Sequence, residues 1–507
     1  MFARRSPVLL IQNLIGAVLG LVGLFFITRF VGTTDWGFVS FGIGFVGILS
    51  LFGDLGYSTA HNIKVSQGED IETCNGTFLS IKLVLGFLFI AIVLGSLIIW
   101  THVLHKGFQS PIEFWIILSL IPYFFFSNFI GFTKTFFVAN LKSTRIAIPP
   151  VIEALLRNSV FIVLGLTIRY SILSNAGYFP AVLVSSAYSI SYAVYFLSSF
   201  ILGRPWKIGR PTRKMMKAYT TLALPLALVS VVGTVNGNID KVIIEFYWHA
   251  TATGAFFSSQ NIALVVGSLS ASMSIFFLPM LVRITQEHQR EEHARTIKEF
   301  ERLISLFILP LVVDMAILAQ YVMNIFNQAY IAYSAILAVL SIRAYFSAIN
   351  TPYSSAIMSR QRTGRIAVID FLSVLGNIAL ILILVPPSIL GVTYFSLGAL
   401  GAAVATTTIT ILDMVFYRIS VSKLEKTGYN FRIVRHLIPA LAQAAFIMFI
   451  VHYISPKDIV VLAPLGIAAI AIYFLVAIAI RETSFSDLLF LIKSFSPKKI
   501  LSQFRNE

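Results

Sequence analysis

A single cysteine, Cys74, stands in a chain of 507 residues. That excludes an internal disulfide and any cysteine-ligated metal cluster. Charge is scarce too: 12% of residues are Asp, Glu, Lys or Arg, about half the share found in soluble proteins. No GxxxxGKS or GxxxxGKT phosphate-binding loop occurs, which argues against nucleotide hydrolysis by this chain. No alternating ten-residue pattern points to a β-barrel. The pairs His102/His105 and His288/His293 lack further ligands or a metal-binding spacing.

What the chain does have is apolar length. Hydrophobic residues make up 57% of it, in runs of about 20 separated by short polar stretches. A helix satisfies its own backbone inside hydrocarbon, so the pattern predicts an all-α integral membrane protein. The spans fall at about 9–31, 37–60, 77–100, 113–137, 146–168, 179–202, 220–245, 253–279, 303–325, 332–357, 366–386, 397–417, 437–454 and 460–480, fourteen in all. The first is too long for a signal-peptide core and has no small-residue cleavage site after it, so it is expected to be retained. The formal charge is +16, and 30 of the 38 Lys and Arg residues lie on the side that holds both termini. Four lie on the other side and four inside spans. This asymmetry predicts cytoplasmic termini and makes the basic excess a topology signal, with no nucleic-acid partner implied.

Two stretches repeat. "FVGTTDWGFVSF" (30–41) answers "FYWHATATGAFFSS" (246–259), with Gly37 over Gly254 at an offset of 217; Pro7 answers Pro225 at 218; "LKSTRIAI" (141–148) answers "QRTGRIAV" (361–368) at 220. Six helices make an even repeat, so both copies keep one orientation about a pseudo-two-fold along the membrane normal. The expected organisation is a six-helix bundle (1–203), a basic cytoplasmic linker (204–219), a second six-helix bundle (220–422), and two further helices with a tail (423–507).

"ITRFVGTTDWGFVSF", "DLGYSTA" (54–60), "NIDKVIIEFYWHATATGAFFSSQNIA" (238–263) and "SLGALGAAVATT" (396–407) resemble the polysaccharide-transporter family of lipid-linked oligosaccharide flippases. Its superfamily also holds multidrug and toxin extruders and lipid II flippases. The resemblance implies a flippase for a polyprenyl-(di)phosphate-linked glycan in the cytoplasmic membrane. It would work by alternating access, with the bilayer and glycan-assembly enzymes as partners. An ion-coupled multidrug antiporter of the same fold is the alternative. A membrane glycan polymerase or polyprenyl-dependent glycosyltransferase fits less well, because the outer connections are short and Asp35 and Asp458 stand alone in them.

A glycan-phosphate head group needs cations and hydrogen-bonding groups to replace water. Arg157 and Arg343 lie about twelve residues into their spans, near mid-depth; with Lys82 they are the candidate phosphate ligands, joined by Arg29 and Lys241. Arg29 and Lys82 could instead snorkel to head groups, and Arg157 could pair with Glu153 one turn before it. In "NGNIDKVIIEF" (236–246), Lys241 and Glu245 stand four apart and are expected to neutralise each other. Asp240, Asp314 and Asp54 are candidates for a gate or ion site, against a purely structural role. No cofactor is expected; a proton or sodium gradient, or the membrane potential, would supply the energy. The segment 283–302 reads as a charged interfacial helix with His293 on a solvated face.

Overall fold

The computed structural model describes residues 6–103, 108–139, 143–170, 177, 179–203, 206–274, 277–286, 290–360, 362–389, 391–425, 428, 430–454, 456 and 458–483. His105, Lys106, Lys142, His288, Lys457 and the C-terminal tail of the sequence reading lie outside the described residues. The architecture is all-α. Eleven helices among the described residues are long and apolar enough to cross a membrane, or up to twelve if one pair bent by 70° counts as a single span. The fourteen expected spans are consistent with this count. The two outside it are the expected spans at about 220–245 and 253–279.

In chain order the helices of the first half are α1 (Ser6–Phe26), α2 (Thr33–Leu49), α3 (Tyr57–Ser66), α4 (Ile71–Ile98), α5 (Ile112–Ala139), α6 (Ser143–Arg169) and α7 (Phe179–Leu202). Then come α8 (Arg213–Asn236), α9 (Ile239–Ser274), α10 (Phe277–Gln286), α11 (Arg290–Ile317) and α12 (Ala319–Phe326). The remainder are α13 (Ser334–Ser359), α14 (Thr363–Leu384), α15 (Gly398–Glu425), α16 (Arg432–Arg435), α17 (Leu437–Tyr453) and α18 (Ile459–Ala479). A two-residue hairpin, Ser388–Ile389 with Val392–Thr393, joins α14 to α15. The chain forms two compact units, residues 18–257 and residues 1–17 with 258–507.

Within the unit 18–257, α2 is the centre. Its span is 72% buried, against 22–39% for the other spans of this half. Glycine makes that enclosure work. A Cβ on Gly37 would run into the Ala250 carbonyl, while one on Gly44 would sit 2.8 Å from Lys241 Cβ and one on Gly47 2.6 Å from the Asn238 side chain. Close approach of small residues is how helices pack where lipid is as apolar as the side chains. On the outside, α4 turns Val84, Phe87 and Ile98 outward at 60% exposure or more, while Phe89 and Val93 of the same helix are fully buried. An apolar face left open in this way suits hydrocarbon contact.

One pair of the matched motifs is echoed in the backbone. Gly32, between α1 and α2, has φ 125° and ψ 158°. His249, 217 residues later, takes φ 68° and ψ 169° and breaks α9 into two helical stretches. Two residues on, Thr34 and Thr251 hydrogen-bond to each other through their hydroxyls at 3.3 Å. Positions that answer each other in sequence therefore share a kink and meet in space.

In the other unit, α11, α13 and α15 pack around Ile304, Ile308, Ala356, Tyr417 and Val421. The last two helices dock on α11 through Leu306, Leu309, Ala440, Tyr473 and Ala477. One expectation is corrected here. His293 and Glu301 are both 0% exposed. They sit on one stripe of α11 with Ile297, Ile304 and Ile308, so the apolar period of the span continues back into the charged segment.

His249 occupies a region of φ and ψ that is nearly reserved for glycine and costs about 1–3 kcal/mol for other residues. His249→Gly, which copies its repeat partner Gly32, should raise the thermal unfolding temperature of the detergent-solubilised protein. A lower unfolding temperature would mean that contacts of the imidazole outweigh the strain.

Candidate functional site

The candidate cations of the unit 18–257 sit on four different elements, and each has an arrangement of its own. Lys82, on α4, is 1% exposed; its ammonium is ion-paired with Asp54 and donates to the Gly53 carbonyl at 3.2 Å. Ser58 donates to the same carboxylate at 2.5 Å. Asp54 follows the end of α2, where the chain turns through Leu55 and Gly56 at positive φ. The turn therefore delivers a carboxylate and an open carbonyl to one buried lysine. Lys82 does not snorkel: its charge is met inside the protein.

Arg157 is held from both sides. Its Nε donates to Glu153 Oε1 at 2.6 Å, one turn earlier on α6. The guanidinium lies over the rings of Tyr188 at 5.0 Å and Phe161 at 5.7 Å, both within cation–π range. Its side chain keeps 18% of its surface accessible. Tyr188 and Tyr192 of α7 pack against Tyr123 of α5, with centroids 5.5 and 4.3 Å away. Tyr123 follows Pro122, which lacks an N–H. Ser189 of α7 fills in at this point, accepting from the Tyr123 N–H at 3.1 Å and donating to the Ser119 carbonyl. The proline break thus ties α5 to α7 and sets three tyrosines beside one arginine.

Lys241 behaves differently from the sequence expectation. It packs against Gly44, halfway along the span Thr33–Gly53. Its ammonium donates to the Gly237 carbonyl at 3.0 Å and to Asn238 Oδ1 at 3.4 Å, and lies 5.0 Å from the Phe257 ring centroid. Gly237 and Asn238 are the break between α8 and α9. A helix end leaves carbonyls without intrahelical partners and carries partial negative charge, and a lysine ammonium answers both. The mutual neutralisation expected of Lys241 and Glu245 is not formed: both Glu245 carboxylate oxygens are buried without a hydrogen-bond partner. The helix break draws the lysine the other way. Asp240 beside it is 3% exposed. Arg29 is exposed, in the wide turn Ile27–Val31 that ends the first span.

Two candidates belong to the other unit. Arg343 is half-buried on α13. Asp314 accepts from Gln443 of α17 at 2.7 Å, and the same amide donates to the Pro310 carbonyl at 2.9 Å. Its second oxygen is 3.3 Å from where a Cβ on Gly466 of α18 would stand. Asp314 therefore lies where the two appended helices meet the bend after α11. No group of three or more His, Cys, Asp or Glu among the described residues could hold a metal ion.

The sequence reading missed a polar network at the charged ends of α11, α13 and α15. Arg418 pairs with buried Glu301, and its guanidinium lies 5.3 Å from the Tyr353 ring centroid. Arg360 grips Glu425 with two bonds of 2.7 and 2.9 Å, and His293 stands 3.4 Å from the same carboxylate. His436 meets Ser305 at 2.8 Å, and Ser305 meets Tyr345 at 2.8 Å. The signal that could have found it is the buried stripe from His293 through Ile297 to Glu301.

A family described as "Polysaccharide biosynthesis protein" matches residues 2–285. A protein of Haloferax volcanii described as "Probable low-salt glycan biosynthesis flippase Agl15" is 20% identical over 415 residues, 80% of each chain. Among solved structures, "Lipid II flippase MurJ, inward closed conformation" superposes with a TM-score of 0.70 at 17% identity, covering 93% of this chain and 98% of that one. An inward-facing multidrug resistance MATE family transporter of the MOP superfamily gives 0.62 at 15% identity, covering 82% and 96%. These likenesses identify the fold as the one shared by those transporters.

Lys82→Met should destabilise the protein by about 2–3 kcal/mol, because it leaves a carboxylate uncompensated. The cost stays below that of a fully buried pair since Asp54 keeps 27% of its side chain accessible. Adding Asp54→Asn should recover most of the loss. Thermal unfolding of the three proteins in one detergent checks this, and a double variant no more stable than the single one would contradict it.

Proposed function

The chain belongs to the polysaccharide biosynthesis protein family, whose pattern spans more than half of it, and from that premise we propose that it flips a polyprenyl-(di)phosphate-linked oligosaccharide across the cytoplasmic membrane. The direction is from the cytoplasmic to the outer leaflet, for surface polysaccharide or glycoprotein synthesis. The observation that carries this reading is Arg157 in its tyrosine surroundings within a spanning helix. An arginine offers five N–H donors in a planar fork suited to phosphate, and Glu153 occupies Nε. Half-buried tyrosines give flat faces and hydroxyls for a hydrated sugar. The glycan flippase of Haloferax volcanii supports the substrate class.

The two repeats, 1–203 and 220–422, would move against each other to expose the head group to one side and then the other. Arg29 and Arg343 are further candidate contacts in this reading, Lys82 and Lys241 act through the structure they hold, and Asp240, Asp54 and Asp314 are candidates for gating or coupling. Energy would come from a proton or sodium gradient or from the membrane potential. The Lys and Arg asymmetry of the sequence supports termini on the cytoplasmic side. Glycan-assembly enzymes on the cytoplasmic face would hand over the substrate; the chain itself would catalyse no covalent step. A multidrug antiporter shares the fold, but the family match favours glycan transport.

In a strain lacking this protein, lipid-linked glycan should accumulate at the cytoplasmic face, and the wild-type chain should clear it. Arg157→Lys keeps the charge but loses the planar fork, and at matched expression it should slow clearance by about tenfold, the effect of about 1.4 kcal/mol. Undiminished export in the deletion strain would refute the function, and full activity of Arg157→Lys would remove Arg157 from it.

A further inference from the structure

On α15, Leu412, Val415, Phe416 and Ile419 follow the spacing of one helix face, and each is 41–49% exposed. This is an apolar stripe open to hydrocarbon. Toward its charged end the helix changes character, to Arg418, Ser422 and Lys423. A cavity of about 230 Å³ opens there. Val415 and Ile419 of the stripe form part of its wall, and Lys298, Arg418, Lys423 and Tyr353 supply its polar side. Among the described residues no carboxylate lines it.

An adjoining cavity that shares Lys298 and Asn430 holds Glu291, Glu299 and Glu425, and of these Glu299 pairs with Arg302 and Glu425 with Arg360. Glu301, fully buried, is bound by Arg418 and accepts from Asn430 Nδ2 at 3.1 Å. Asn430 also donates to the Lys298 carbonyl at 2.8 Å, which fixes the α11 wall of the cavity. Neither Lys298 nor Lys423 has a carboxylate at ion-pair distance among the described residues. Two lysines and the guanidinium of Arg418 thus line the cavity, and Val415 and Ile419 of its wall belong to the apolar stripe. Its volume, below the roughly 300–1,000 Å³ of drug-sized sites, suits a lipid head group.

We propose that this cavity binds the phosphate of an anionic bilayer phospholipid, with one acyl chain lying along the stripe from Ile419 to Leu412. The feature belongs to the second unit and does not use the Arg157 site, so it stands independently of the transport reading. Phosphate demands the cations, and the adjoining apolar face demands a tail. An amphiphile satisfies both at once, whereas free phosphate would leave the stripe unused.

The test uses the purified full chain, stripped of lipid in detergent and titrated with phosphatidylglycerol, phosphatidylcholine, inorganic phosphate or a polyprenyl phosphate. Thermal stabilisation and native mass spectrometry are the readouts. Phosphatidylglycerol should bind and stabilise; phosphatidylcholine and inorganic phosphate should not. Lys298→Gln with Lys423→Gln should weaken phosphatidylglycerol about thirtyfold, the effect of losing two lysine contacts of about 1 kcal/mol each. Lys298→Arg with Lys423→Arg should keep it, which separates lost charge from lost folding. Unchanged phosphatidylglycerol binding in the Gln pair, or loss of binding in the Arg pair, would overturn the proposal. So would equal stabilisation by phosphatidylcholine or by phosphate alone. A polyprenyl phosphate that binds while phosphatidylglycerol does not would assign the cavity to the carrier lipid instead.

Discussion

Inside hydrocarbon no water is on hand to finish a hydrogen bond or share a charge, so a polar group without a partner in the chain is costly. Much of this structure follows from that rule. Where α5 is interrupted at Pro122, a serine from α7 inserts between the freed groups. Where the chain breaks between α8 and α9, a lysine turns back onto the exposed carbonyl. Lys82 is balanced by a carboxylate delivered from the turn after α2. These repairs concentrate polar side chains at the interruptions, and interruptions are where spanning helices can present chemistry to a substrate.

The rule also explains why the unit 18–257 is built around a glycine-rich helix. Lys241 and Asn238 can serve the helix break because α2 offers Gly44 and Gly47 opposite them, with no Cβ in the way. Bulk at either position would displace the lysine from the carbonyl it serves. Tight packing and charge compensation are thus one arrangement seen from two helices. In the second unit the same problem is solved at the ends of the spans, where Glu301, Glu425 and their arginines form paired clusters. Exposed pairs of this kind contribute little, whereas buried ones fix a geometry that is costly to break.

The membrane class and most of the spans were legible in the sequence, though not the break at Gly237 and Asn238 inside the expected span 220–245, because hydropathy runs and copied motifs are local signals. Gly32 and His249 show how far that reaches: the offset of 217 aligns them, and the backbone repeats its kink there despite the change of residue. Contacts that join distant stretches were not legible. Asp54 meets Lys82 only because a turn after α2 directs it, and no spacing rule links positions 28 apart. Lys241 and Glu245 had the spacing for an ion pair, but the helix break created a stronger claim on the lysine. His293 and Glu301 looked solvated because they lie among charges; their place on the Ile297 stripe decided otherwise.

Thr34 and Thr251 have a consequence of a different kind. A hydroxyl that meets the copy of itself is the sort of bond two identical chains make across a dyad, where one codon specifies both donor and acceptor. In a single continuous chain the two codons are separate. Each side can then drift alone, and the asymmetry a vectorial machine needs becomes available one substitution at a time.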